Sequence, residues 1–312
     1  MIKGRQAAND IVIRDFCSRR GLSADAVSPG LRTAIAAVSI PFQLYVESLD
    51  TTGIAESEDP LHGLLATLIY RTYTCANGSL ALVAVGQLQE GEIVARTVVE
   101  SSITGQYILQ DDTKSRVLRF LHSYVAKERL QNRRWQKAAS TTGNRERSEH
   151  TKRIDDKETA LVGYETFLRH VAGEQPDGDA SKGEWPTIEQ VFANLGKQVD
   201  YRTVYAALCS QAHHDAEDIL NRFFVDSLAN NEGVSERMRR EKHTFSLYMI
   251  LLGLRYFVEY VEMLGNRYDL HPVQSEAKTA KQAISDEIEL MIRCLDNGTF
   301  PSRWQAKLID GV

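Results

Sequence analysis

Apolar residues recur at steps of three and four along nearly the whole chain, and that spacing limits the fold more than any other feature. Leu61, Leu64, Leu65, Leu68, Ile69 and Thr72 fall on one face of a helix. Ile93, Arg96, Val99, Glu100, Ile103 and Tyr107 repeat the spacing. The Val, Ile and Thr content of that second stretch also suits a strand, but its length and its lack of period-two alternation select a helix. Val117, Phe120, Leu121, Tyr124 and Val125 form the next face, with Asp111 and Asp112 placed to cap it. The predicted fold is all-α, a multi-helix bundle of long antiparallel helices with a projecting helical hairpin.

Turn-forming residues mark the boundaries. Residues 173–186 (GEQPDGDASKGEWP) concentrate Gly, Pro and Asp and read as a linker. Thr187 with Gln190 forms a capping-box pattern for a short helix that Gly196 can end. Asp200 is placed to cap a helix containing Val204, Ala207, Leu208, Leu220 and Phe224. Ser235 opens a long helix through Leu264, with Gly265 as its expected C-terminal cap. The last strong helix runs from Ala277 to Leu295, after a first-turn Pro272 and before Gly298. Residues 1–60, with one amphipathic helix from Leu31 to Leu49, read as an N-terminal appendage on a main bundle of residues 61–312.

Composition narrows the function classes. A chain that is 43% hydrophobic and 25% charged buries a core, which excludes collagen-like and wholly disordered classes. Cys17, Cys75, Cys209 and Cys294 are widely separated, so no CxxC zinc or thioredoxin-like motif exists. Isolated thiols suit a reducing compartment. Asp10 and Asp15 interrupt any signal-peptide core, and the greasiest stretch, Phe245 to Leu264, carries Arg255, Glu259 and Glu262. The expectation is a cytoplasmic protein with no membrane partner.

The net charge of -5 advertises no general affinity for nucleic acid. One segment departs from it. Between Lys127 and Arg153, nine Lys and Arg face three Glu, a local +6 that leaves -11 for the rest. Ser140 to Asn144 reads as the turn between its two helices. Arg133, Arg134, Arg145 and Arg147, with Trp135 among them, form a candidate RNA-binding face; the plainer reading is a solvated hairpin. Arg237, Arg239, Arg240 and Lys242 form a smaller cluster where cations oppose a helix dipole. An anionic partner would account for them, and so would Glu236 and Glu241 beside them.

Two constellations carry chemistry. Arg96 and Glu100 lie one turn apart in an apolar helix, where a pair can hold an arginine for phosphate or simply fix packing. Downstream, Cys209 and Ser210 lie one turn before His213 and His214, which brings candidate nucleophiles near candidate bases. Arg202 is about 16 Å from His213 along the axis, too far to act on the same atom. Adjacent histidines without an HExxH-like motif make a weak metal site. No metal and no cofactor are expected.

Gly91 to Ser101, then Tyr107-Ile108-Leu109, together with Tyr201 to His213, resemble two motifs of an uncharacterised bacterial helical family, the domain of unknown function 5677. The resemblance spans about Leu61 to Leu264 and implies an all-α bundle and, through related helical families, a defence or stress role exerted on a protein or nucleic-acid partner, with a homodimer allowed. Some of those related families are HEPN-type ribonucleases, with four to six residues between an arginine and a following histidine. Arg116 with His122, Arg145 with His150, and Arg237 with His243 match that spacing, about as many matches as chance supplies. Arg237 with His243, at the start of a long helix, is the best placed. The enzyme reading puts Arg96, Glu100 and His213 or His214 in an interhelical cleft. The other reading makes the same residues a packing network and leaves function to a partner surface.

Overall fold

The computed structural model describes residues 2–52, 60–110, 113–173, 184–213, 220, 223, 227 and 232–305. The described residues contain no strand. The helices are α1 (Ile2–Ser18), α2 (Pro29–Thr52), α3 (Pro60–Ala84), α4 (Leu88–Leu109), α5 (Thr113–Ala139), α6 (Asn144–Ala172) and α7 (Ile188–Asn194). Then comes α8, a short α turn (Gln198–Asp200) continuing through a π turn (Tyr201–Tyr205) into Ala206–His213. The long α9 (Glu232–Arg267) and α10 (His271–Asp296) complete the set. Packing divides the chain into two units, residues 1–109 with 188–312 and residues 110–187.

In the first unit α9 is the axis, packed on α2, α3, α4 and α10. Leu247, Leu251, Leu254, Val258 and Val261 are buried along one stripe, Ile250, Phe257 and Leu264 along the next, and Met249, Tyr256 and Tyr260 beyond them. A helix apolar nearly all round has to be central. Burying each of these side chains contributes roughly 1.5–3 kcal/mol before chain entropy is counted. The charges within its apolar stretch are all paired: Glu259 with Arg255 and Lys197, and Glu262 with Lys281. No described helix is long and apolar enough to cross a membrane.

Helix α4 lies unusually close to α9. A Cβ at Gly105 would stand 2.3 Å from the Tyr260 ring, so only glycine admits that contact. Two polar groups trapped in this seam find partners across it, whereas the buried Tyr260 hydroxyl has no hydrogen-bond partner among the described residues. Ser246 Oγ donates to the Glu92 carboxylate at 2.8 Å, and Gln106 Nε2 donates to the Tyr256 carbonyl at 3.0 Å. At the other side, Trp304 donates its indole N–H to buried Glu287 at 2.7 Å and lies over Gly30. That contact ties residues 302–304 to both α10 and α2.

The second unit is built on a helical hairpin with a seven-residue repeat. Leu118, Val125, Asn132 and Ala139 of α5 are buried, as are Ile154, Leu161 and Leu168 of α6. This is the spacing of a coiled-coil seam, and the single polar member, Asn132, is the kind that fixes register. Its amide donates to Glu158 at 3.2 Å. Arg129 bridges Glu158 and Glu165 across the two helices.

The helices expected from apolar spacing are present, including α4 where a strand was the alternative. Three local expectations differ. Helix α1 was not anticipated. Gly265 does not end α9, which runs on to Arg267; the left-handed residue there is Asp269, with φ 54°. Asp200 sits inside helical backbone rather than at a cap, and its carboxylate accepts from Tyr256 Oη. Residues 174–183 of the expected linker, with Asp111, Asp112 and Phe224, lie outside the described residues.

Gly105→Ala is expected to destabilise the protein by about 1–3 kcal/mol through overpacking. Gly78→Ala, whose Cβ would meet nothing closer than 3.9 Å, is expected to stabilise it by up to ~1 kcal/mol. Urea denaturation of the two variants measures the contrast.

Candidate functional site

The site forms where α8 meets α4. Phe192 of α7, fully buried, packs its ring against Tyr201, Tyr205 and Tyr256 at 5.7–6.3 Å. Tyr201 and Tyr205 stack at 5.7 Å. Lys197 is pinned by Glu259 at 2.9 Å and lies over the Tyr256 ring. These contacts hold α8 by its first turns and leave its second half to face α4.

Tyr201, Tyr205, Cys209 and His213 are spaced by four. On a regular α-helix such residues drift around the axis by about 40° per step. The π turn over Tyr201–Tyr205 is wider, so each residue turns the chain less and the drift shrinks. Single π turns within helices often accompany functional sites. Here the turn brings Tyr205 and Cys209 together on the side of Arg96.

Tyr205 Oη donates to Glu100 Oε2 at 3.1 Å. Arg96 is hydrogen-bonded to the same tyrosine, and its guanidinium carbon is 5.7 Å from the ring centroid. Cys209 is near enough to interact electrostatically with both. The hydrogen bond to Tyr205 raises the Arg96 pKa further, against a smaller cost of burial. Burial pushes the Tyr205 phenol well up, opposed by its bond to Arg96. The arginine is therefore permanently charged and the tyrosine permanently neutral across physiological pH.

Exposure separates this cluster from a sealed packing network. Tyr205 is 6% exposed, Arg96, Cys209 and Ser210 are half-buried, and Glu100 is exposed. A cation fixed at one edge, with its surroundings open, can receive an anion; guanidinium suits phosphate or carboxylate in particular.

The other sequence candidates are distributed as follows. His213 follows Cys209 by one turn of α8, with its side chain outside the described residues, and His214 lies outside them altogether. Arg202 is exposed and paired with Glu189. Arg237 pairs with Glu241, and Glu236 takes both Arg239 and Arg240, so internal ion pairs account for the three arginines at the start of α9. His243 lies edge-on to Phe300 at 6.5 Å, and burial, then Arg239 and Lys242, lower its pKa. In the hairpin, Arg145 approaches Glu149 at 3.9 Å while His150 packs on Trp135. Arg147 donates to the carbonyls of Ser140 and Thr142, which commits it to the turn. Arg133 and Arg134 are exposed. No group of three His, Cys, Asp or Glu among the described residues is arranged to hold a metal ion.

Tyr205 is the site residue that sequence reasoning missed. The four-residue spacing from Tyr201 to His213 was its only local signal, because its partner Glu100 is 105 residues away.

A family model described as "Family of unknown function (DUF5677)" matches residues 62–232, which include all of α4 and α8. No curated protein and no solved structure matches the chain.

Burial holds the phenols of Tyr45, Tyr205, Tyr256 and Tyr260 above the ordinary value of 10.0. A raised folded-state pKa contributes stability that is complete below pH 10 and is lost as pH rises above it, since only the unfolded chain ionises there. Each tyrosine should then cost up to ~1.4 kcal/mol per pH unit. Alkaline titration of phenolate absorbance should show four of the twelve tyrosines ionising only on unfolding.

Proposed function

The chain belongs to the DUF5677 family, and from that premise we propose that it acts on a phosphate-bearing ligand, a nucleotide or an RNA strand, at Arg96, Glu100 and Tyr205. The observation that carries this reading is the arginine itself: half-exposed, always charged, and oriented by Tyr205, which Glu100 holds in turn. A charge pair serving only to lock helices would be expected deeper in the seam, where Glu92 and Ser246 lie.

On RNA the step is transesterification. A base takes the 2′-hydroxyl proton, O2′ bonds to phosphorus, the bond to O5′ breaks, and O5′ takes up a proton. Arg96 would stabilise the charge that develops on the phosphoryl oxygens. His213, one turn beyond Cys209, is proposed as the proton carrier, since histidine is the side chain poised near neutral pH. His214 is the alternative carrier. Glu100 and Tyr205 act as positioning residues for Arg96. A role in bacterial defence or stress rests on the sequence resemblance alone.

The second reading is a non-catalytic protein that works through a macromolecular partner. It is favoured by the mutual satisfaction of Tyr205, Glu100 and Arg96, which a packing network would also display.

Incubating the protein with a labelled mixed RNA pool separates the two. The enzyme reading expects cleavage that falls about 100-fold or more in Arg96→Ala and in one of His213→Ala and His214→Ala. His243→Ala should cleave normally, and circular dichroism should show each variant folded. An inert wild-type protein, with and without divalent metal, would reject the enzyme and leave the partner reading.

A further inference from the structure

We infer that the outer face of α5 binds single-stranded nucleic acid through its phosphate backbone. The inference is independent of the Arg96 cluster. Helix α5 carries eight Lys and Arg against one Glu, whereas α6 carries six of each sign. The seven-residue repeat turns Leu118, Val125, Asn132 and Ala139 toward α6 and sets the opposite side of α5 toward solvent. On that side stand Lys127, Arg133, Arg134 and Lys137, all exposed. At 100° per residue they share an arc of about 120°, and they extend along about 15 Å of the axis.

Several acids of this unit are spent elsewhere. Glu158 and Glu165 take Arg129, Glu128 takes Lys157, and Glu165 also takes Arg169. Among the described residues no carboxylate lies within ion-pair distance of the four outer cations. On α6 the balance differs: Arg147 is committed to the turn, Arg145 is near Glu149, and Lys152 and Arg153 are followed after Ile154 by Asp155 and Asp156. A concentrated cationic arc on a chain of net charge -5 is matched by an extended polyanion rather than by a general field.

Aromatic side chains choose the strand form. Tyr124, which is 48% exposed, and half-exposed Trp135 are eleven residues apart. They therefore lie within about 20° of each other around the axis, about 60–80° past the Lys127 end of the cationic arc on the flank toward α6, where Tyr124 adjoins Tyr164 and Trp135 adjoins His150. Unpaired bases can stack on such rings while the backbone follows the cations; bases paired in a duplex cannot.

Fluorescence anisotropy of the full chain, titrated into a labelled 20-mer over a series of salt concentrations, tests this. Four phosphate contacts predict a log–log salt slope of about -3 for a single strand. Lys127→Ala with Arg134→Ala should make the slope shallower by about 1.4, whereas Lys152→Ala with Arg153→Ala, the same charge removed from α6, should leave it unchanged. Tyr124→Ala should weaken binding roughly tenfold without altering the slope. Equal binding to RNA and DNA of one sequence would identify the phosphate backbone as the feature read, and preference for RNA would add the 2′-hydroxyl. Failure to bind at low salt, a duplex bound more tightly than the single strand, or equal slope losses from the two double variants would each overturn the inference. The readout is binding, so loss of cleavage in Arg96→Ala would not bear on it.

Discussion

Everything in the first unit depends on α9 being enclosed. A helix apolar on nearly every side cannot lie at a surface, so α2, α3, α4 and α10 must surround it. Helix α4 comes closest, because Gly105 lets it rest on the Tyr260 ring and Gly253 lets α9 rest on Ala95. Such contact fixes the rotation of α4 about its own axis. With Ala95, Val98 and Val99 committed to the interior, Arg96 and Glu100, one position further on from Ala95 and Val99, are turned away from it. The geometry of the candidate site is thus set by apolar residues that never touch it.

The long, periodic segments were legible in the sequence because their apolar faces carry the packing energy. Helix α4 could be told from a strand by length, despite its β-branched content. Helix α1 was not legible because Lys3, Arg5, Asp10, Arg14 and Asp15 break up its apolar pattern. Caps were misread where a tertiary contact outweighed a local preference. Asp200 serves Tyr256 instead of a helix terminus, and Gly265 is needed as space beside Val273 and Gln274. At the site, Arg96 and Glu100 stood out as charges in an apolar run. Tyr205, which joins them, looked like one aromatic among several.

Charge is handled in two ways within the same chain. Along α9 and across the α5–α6 seam, acids and bases are matched, and the matched pairs determine how helices register. Glu236 and Glu241 do the same for the arginines that would otherwise oppose the α9 dipole. The outer arc of α5 is arranged differently. Its cations have no such partner among the described residues, although the chain as a whole carries excess acid. Net charge conceals this arrangement, since it averages over faces that point in different directions.

The π turn in α8 has a consequence for how this region can vary. A turn that holds one extra residue absorbs it locally, so the downstream half of the helix keeps its orientation relative to the upstream half. A π turn spends about one more residue than an α turn on the same rotation, so removing a single residue between Tyr201 and Tyr205 would restore uniform winding and leave Cys209 and Ser210 near their present face. Phe192 and Lys197 would still clamp the upstream turns. Removing one from residues 206–208, where the winding is already α-helical, would instead turn the residues beyond it by ~100° and present a different face to Arg96. In this stretch the place of a deletion decides which face the helix presents.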